Sequence, residues 1–388
     1  MGKMSPFQRA YTTTLAVIAL LSAGFLAGFV THDRIGSSAD DFPILTEAYD
    51  LILNQGLPTP PAAPALEYGM IRGMIQAYGD PYTSFVEPAQ HELNSQNLEG
   101  SYGGIGATIE KDPEGYFLLF PFPDGPARLA GIQDGDRLLQ VDDLVLTPDT
   151  AQDILLAAIR GPIGEEVTIT ISRTPGYQAV PFKIKRAEIA LPSVTWRLAP
   201  DEPRLGLIKV NIIAASTAEE IQKAVADLQE RGATHFALDL RDNYGGLLDA
   251  GVEIARLFLA EGIVIQQQYR GKDVETIKVE DPGVFFSLPL VVLVNQNTAS
   301  AAEIIAGALQ GQQRAPLIGV PTYGKDAIQL VFLLQDESSL HVTAARWWAP
   351  GLEQPVGDAG LQPDILLAAD SPGSDPAVQA AIQHFFSP

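Results

Sequence analysis

The chain has 388 residues, 46% hydrophobic and 19% charged, which suffices for a sizeable core in two or three domains and excludes wholesale disorder. Forty-seven Asp and Glu against 25 Lys and Arg give a net charge of −22, which argues against a phosphate-tracking surface, and no nucleic-acid partner is expected. There is no Cys and there are only five His, which excludes disulfides, thiolate nucleophiles and Cys-ligated metals. No metal and no other cofactor is expected, and a nucleophile must be Ser, Thr, Lys or a carboxylate.

Lys3 and Arg9 precede an uncharged run, Tyr11 to Thr31, long enough as a helix to cross one hydrocarbon core. It fits an anchor better than a cleaved signal peptide, because its one small-x-small site, Ser22-Ala23-Gly24, lies mid-run. Both readings put the body outside the cytoplasm. Ile44, Ala48, Leu51 and Ile52 are spaced as in a helix, and the proline-rich Leu57–Pro64 stretch separates it from a second helix over 65–78. That helix stops at the turn signal Gly79-Asp80-Pro81. Residues 99–188 read as a small, mostly β module, with a glycine cluster at Gly100–Gly106, strands at Tyr116–Phe122 and Val167–Ser172, and a short helix at Thr150–Ile159. From 204 onward strands and helices alternate, as in an α/β core. Strands are expected at Leu205–Val210, Phe236–Leu240, Leu288–Val294, Leu317–Val320, Ile328–Leu334 and Leu340–Ala345. Helices are expected from Ser216, at a capping-box match with Glu219, and over Leu247–Leu259 and Ala301–Leu309. The tail after Ala368 ends in a brief helix.

Three places could carry chemistry. Ser300-Ala301-Ala302-Glu303 follows a buried strand and opens a helix, which by itself is an ordinary capping box. The same helix tip would stabilise a developing oxyanion through unpaired N–H groups and the helix dipole. A hydroxyl needs a base, and no His lies in the nearby motifs. Lys325, in Tyr323-Gly324-Lys325-Asp326, is the alternative; it is a surface lysine unless burial lowers its pKa. Gln329 meets Lys325 only if the intervening turn allows it. The third place is Asp239–Gly246, a strand end and a paired-glycine turn, which is either a simple turn or a source of oxyanion donors.

Taken in order, these residues resemble the carboxy-terminal processing (tail-specific) serine peptidases, which pair a Ser-Lys dyad with a PDZ domain. The resemblance runs from about residue 43 to 368. It rests on Asp80-Pro81-Tyr82-Thr83-Ser84-Phe85, Tyr102–Gly106, Gly125-Pro126-Ala127 with Ala130-Gly131-Ile132 and Gly135-Asp136, Ile159-Arg160-Gly161-Pro162, Leu238–Gly246, Asn295–Glu303, Tyr323-Gly324-Lys325 and Gly360–Asp364. It implies an α/β multidomain chain: an anchor or signal segment (1–34), a helical region (35–98), an inserted PDZ domain (99–188), a crotonase-like ββα peptidase core (189–370) and a tail (371–388). It also implies Ser300 as nucleophile, Lys325 as general base and Gln329 as the residue positioning it. Ala301 and either Gly245 or Gly246 would form the oxyanion hole. Tyr102, Gly103, Gly104, Ile105 and Gly106 would receive the apolar C-terminus of a protein or peptide substrate.

The expected function is serine endopeptidase action on extracytoplasmic proteins near their C-terminus. Membrane attachment would come through the N-terminal helix, and homo-oligomer formation is left open. The rival readings are a catalytically inactive PDZ scaffold and a crotonase-like acyl-CoA enzyme. Three positions depart from the family pattern: Ala302 for a second Ser, Tyr244 for Pro or Gly, and Asp326 after the base. A carboxylate at 326 would raise the Lys325 pKa unless it points away.

Overall fold

The computed structural model describes residues 42–61, 63–173, 179–352, 356–357, 359–367 and 375–387. The Tyr11–Thr31 run lies outside the described residues, and no described helix is long and apolar enough to cross a membrane.

The chain divides into two units, Met1–Met70 and Ile71–Pro388. The first contains α1 (Pro43–Gln55), opened by a proline whose fixed φ suits a first helical turn. No residue of α1 is buried. After the Pro58, Pro60 and Pro61 break, α2 (Ala63–Tyr78) begins in this unit and ends in the next.

The second unit starts with β1 (Ser84–Val86), α3 (Pro88–Glu99) and β2 (Ser101–Gly104). A β module follows: β3 (Ala107–Lys111), β4 (Phe117–Pro121), α4 (Pro126–Ala130), β5 (Asp136–Val141), β6 (Leu144–Val145), α5 (Gln152–Ile159), β7 (Glu166–Ser172) and β8 (Val180–Lys185). Its strand order is β3-β4-β5-β7-β8, so β3 is an edge strand. Alternate residues of β4 and β7 (Phe117, Leu119, Val167, Ile169, Ile171) join Ile105, Leu155 and Ile159 in one core. Beyond it β9 (Ala187–Ala190) returns to pair with β2.

The remaining elements are β10 (Val194–Ala199), β11 (Glu202–Val210), α6 (Thr217–Glu230), β12 (His235–Asp239), α7 (Leu248–Phe258), β13 (Ile263–Tyr269), β14 (Glu275–Lys278), β15 (Leu290–Val294), α8 (Ala301–Gly311), β16 (Leu317–Gly319), β17 (Ala327–Leu333), β18 (Ser339–Trp348), β19 (Ile365–Leu366) and α9 (Pro376–Phe386). The main sheet runs β10-β11-β12-β15-β16-β19 and is parallel from β11 to β19. Its strands read as continuous apolar runs because both faces are covered. Phe236, Leu238, Leu290, Val292 and Val294 pack among side chains of α6, α7 and α8, while Ala237, Val291 and Leu293 pack against α9. A second, antiparallel sheet has β18 at its centre, with β17 along one edge and β1 and β13 on the other.

One expected cap takes a different form. Glu219 pairs with Lys223 in solvent, and it is Glu220 that accepts from Ser216 Oγ at 2.7 Å and from the N–H groups of Ser193 and Val194. The second carboxylate of the pair reaches the buried donors of the neighbouring strand, so the box motif is not used.

Candidate active site

β15 delivers the chain to Asn295, and α8 starts at Ala301, so Ser300 sits at the junction of a buried strand and a buried helix. Its backbone has φ 56° and ψ −121°, a region that non-glycine residues rarely adopt. Such strain persists only where the surroundings dictate it, and here they do. Ala299 N–H donates to Asn243 O at 2.9 Å, Thr298 Oγ1 donates to Leu240 O at 2.9 Å, and Asn243 Nδ2 donates to Val210 O at 2.9 Å. Asn295 Nδ2 and Asn297 Nδ2 both donate to Asp242 Oδ1, at 2.8 and 2.9 Å. These bonds lace the 240–246 turn to the 295–299 loop. Within that turn, Arg241 is held between Asp239 (2.6 Å) and Asp375 (2.7 Å), which ties the turn to the cap of α9.

Gly245 lies hard against Ser300. A β-carbon there would come within 3.0 Å of Ser300 Cβ and 3.2 Å of Ala301 N, and its φ is 103°. At Gly246 a β-carbon would collide with Ile213 O. The two glycines differ in their N–H groups. That of Gly245 donates to Asn243 Oδ1 at 2.8 Å, whereas those of Gly246 and Ala301 have no acceptor among the described residues.

Glu303 is fully buried and joins the two halves of the site. Its Oε2 accepts from Ser300 N–H at 2.9 Å and from Lys325 N–H at 2.9 Å, and its Oε1 accepts from Thr322 Oγ1 at 2.6 Å and Gly324 N–H at 2.7 Å. Burial raises its pKa above the ordinary glutamate value, and the four donors pull it back. The sequence motif shows this residue as a helix cap; the structure makes it the clamp that sets Ser300 and Lys325 in register.

Lys325 is half-buried, and its Nζ donates to Gln329 Oε1 at 2.6 Å. Gln329 Nε2 in turn donates to Tyr82 O at 2.5 Å, and the Tyr82 ring lies under the amine, 5.4 Å from Nζ to its centroid. No hydrogen bond joins Lys325 Nζ to Ser300 Oγ. Burial lowers the Lys325 pKa below the ordinary lysine value, against the charges of Asp80 and Glu303, which raise it. Asp326 does not act on this amine: its carboxylate faces the Arg346 guanidinium at 3.5 Å. The charge that matters from the aspartates is Asp80, which accepts from Thr83 N–H at 2.8 Å and shapes the Tyr82 turn. Sequence reading used Asp80 and Tyr82 only as a turn signal and a motif; nothing in their spacing to Lys325 shows that they meet. Of the other two departures, Ala302 is buried in the core and Tyr244 is exposed.

Tyr102, Gly103 and Gly104 lie in β2, paired with β9, and Ile105 and Gly106 connect it to β3. Ile105 is buried in the β-module core, its C=O accepts from Ala127 N–H, and the C=O of Gly106 accepts from Phe122 N–H. The Ile105 and Gly106 N–H groups have no acceptor among the described residues. Gly161 N–H donates to Gly103 O at 3.0 Å, and the Arg160 guanidinium stacks on the Tyr102 ring at 3.9 Å.

Residues 204–367 match Peptidase family S41, and residues 123–173 match the PDZ domain. The chain is 36% identical over 310 residues to the carboxyl-terminal-processing protease of Picosynechococcus sp., covering 79% of this chain and 74% of the relative. The chain belongs to this family of S41 peptidases. It is 35% identical to the Synechocystis sp. protein of the same name, over 77% of this chain and 70% of that one. It is 32% identical to the chloroplastic carboxyl-terminal-processing peptidase 2 of Arabidopsis thaliana, over 80% and 62%. The solved photosystem II D1 C-terminal processing protease aligns over 85% of this chain and 88% of that chain, at 27% identity and a TM-score of 0.47. The protein is a serine-type peptidase of mixed α/β fold with a PDZ domain.

Proposed function

We propose that the peptidase works through a Ser300–Lys325 dyad on a crotonase-like core and cleaves extracytoplasmic proteins near a C-terminus held by the PDZ module. The carrying observation is the Glu303 carboxylate, which bonds the backbone N–H of both residues at 2.9 Å. The first step turns the neutral Lys325 amine from Gln329 toward Ser300. Lys325 Nζ takes the Ser300 proton as Oγ bonds to the scissile carbonyl carbon. The oxygen that gains the electron pair is held by the N–H groups of Ala301 and Gly246, neither of which has an acceptor among the described residues. Collapse breaks the C–N bond while the Lys325 ammonium gives its proton to the leaving amine. Water, deprotonated by the same lysine, then releases the acyl group.

The orientation of Asp326 toward Arg346 supports this reading over an inactive scaffold, since that carboxylate was the chief feature against a neutral base. For the substrate, support comes from the outer edge of β3 and the N–H groups of Ile105 and Gly106, which have no partner among the described residues, and from Arg160 beside Tyr102. This arrangement suits an extended peptide ending in a carboxylate. The positive residues Lys3 and Arg9 ahead of the uncharged run support an extracytoplasmic body.

The test is a serine-reactive phosphonate. Labelling of Ser300 in the wild-type protein that is lost in Lys325→Ala is expected, and equal labelling of both would remove Lys325 from the mechanism. A matched pair of peptides, free acid and C-terminal amide, tests the PDZ arm: the acid is expected to be cleaved faster, and equal rates would end carboxylate recognition.

A further inference from the structure

β17 leads away from the dyad. It starts at Ala327, two residues after Lys325, carries Gln329, and continues as Leu330-Val331-Phe332-Leu333. Among the described residues only β18 pairs with it, so its other edge is open. In an antiparallel pair, alternate residues bond to the partner and the rest point their N–H and C=O away. Two observations set the phase. Leu334 N–H donates to Ser338 O, and Thr343 N–H, opposite Gln329, turns away from β17 to Thr83 Oγ1. Leu330 and Phe332 therefore bond to β18, while Gln329, Val331 and Leu333 aim their backbone groups outward.

This edge is also apolar on both faces. Leu330 is 40% exposed, Val331 51%, Phe332 50% and Leu333 66%. Edge strands are normally guarded by charge. Of the other sheet-edge strands, β3, β8, β10 and β14 each carry Lys, Arg or Glu, and the uncharged β1 and β19 are only 3 and 2 residues long; β17 runs for 7 residues without a charge in a chain of net charge −22. Outward backbone donors and acceptors call for an extended chain, and uncharged apolar side chains above and below call for an apolar one. The strand that offers both also holds, through Gln329, the amine of the dyad.

We propose that the outer edge of β17 binds the substrate polypeptide by strand addition, taking an extended, uncharged apolar segment near the scissile bond and aligning it with Ser300. The proposal rests on the Ser300–Lys325 reading. A second copy of this chain is the competing occupant.

Val331→Pro removes an outward N–H that the fold does not use, and Pro is tolerated on edge strands. Val331→Lys and Leu333→Lys leave the backbone intact and add the charge that guards other edges. The readout is the ratio of kcat/KM for an unfolded polypeptide with an apolar tail to kcat/KM for a small activated ester, alongside phosphonate labelling of Ser300. The expected result is a fall of about tenfold in that ratio for Val331→Pro and for both Lys variants, the scale of one or two backbone hydrogen bonds. An unaltered ratio, or equal losses on both substrates, overturns the proposal. So does a change of oligomeric state with polypeptide turnover unaltered, which would assign the edge to a second copy. Absence of wild-type labelling at Ser300 would instead remove the dyad reading on which the proposal stands.

Discussion

The two halves of the candidate site stand on different ground. Ser300 rises from the parallel sheet, where β15 is buried along its whole length and α8 is buried on nearly every side. Lys325 leads into an antiparallel sheet whose outer strand is exposed from Leu330 onward. The helix-tip half is over-determined: a strained backbone, a lacework of Asn and Thr hydrogen bonds and a glycine at van der Waals contact all fix Ser300. The lysine half depends on a few polar contacts: Glu303 to its backbone, Gln329 to its amine, and the Tyr82 turn to Gln329. The lesson is that the proposed nucleophile is built into the core, whereas the proposed base is held by a few contacts that single substitutions remove.

That contrast orders the expected effects. Glu303→Gln strikes both halves, because an amide cannot accept from four donors at once. We expect peptidase activity to fall by about 100-fold or more, and thermal melting to show lost stability, since each stranded buried donor costs about 1–3 kcal/mol. Activity near wild type would mean that the clamp is dispensable. Gln329→Ala breaks the lysine half alone. It should lower kcat by about tenfold while the far-ultraviolet circular dichroism stays unaltered; a loss of secondary structure would show that Gln329 serves the fold rather than the amine. Asp80→Asn removes a charge that raises the Lys325 pKa, so the rising limb of the pH–rate profile should move to lower pH. A move to higher pH would show that the Asp80 hydrogen bonds to Thr83, and not its charge, govern the base. Asp326→Asn should leave that limb in place, because its carboxylate faces Arg346; a shift would bring Asp326 back to the amine.

Much of this was legible in the sequence. The continuous apolar run ending at Val294 predicts a doubly covered strand, and it is one. The alternation in Val167–Ser172 likewise predicts a half-buried strand, and β7 spans Glu166–Ser172. Ser300, Lys325 and Gln329 were within reach because ordered motifs carry them, and Lys325 does meet Gln329. What could not be read is distance across the fold. Asp80 and Tyr82 lie more than 240 residues from Lys325 in the chain and are brought to it by the pairing of β1 with β18. The direction of the Asp326 side chain and the choice between the Gly245 and Gly246 N–H groups depend on local backbone geometry that residue types do not encode. The short strands β1, β10 and β14 and the helix α3 escaped sequence reading because their apolar spacing is weak and tertiary pairing decides them.

The most direct test is the pH dependence of kcat/KM for cleavage of a peptide at Ser300. The dyad requires the uncharged amine, so the rate should rise with pH along a limb whose midpoint lies below the free-lysine value of about 10.4, and Lys325→Ala should abolish it. A midpoint at the free-lysine value, or a limb that survives in Lys325→Ala, would contradict the account.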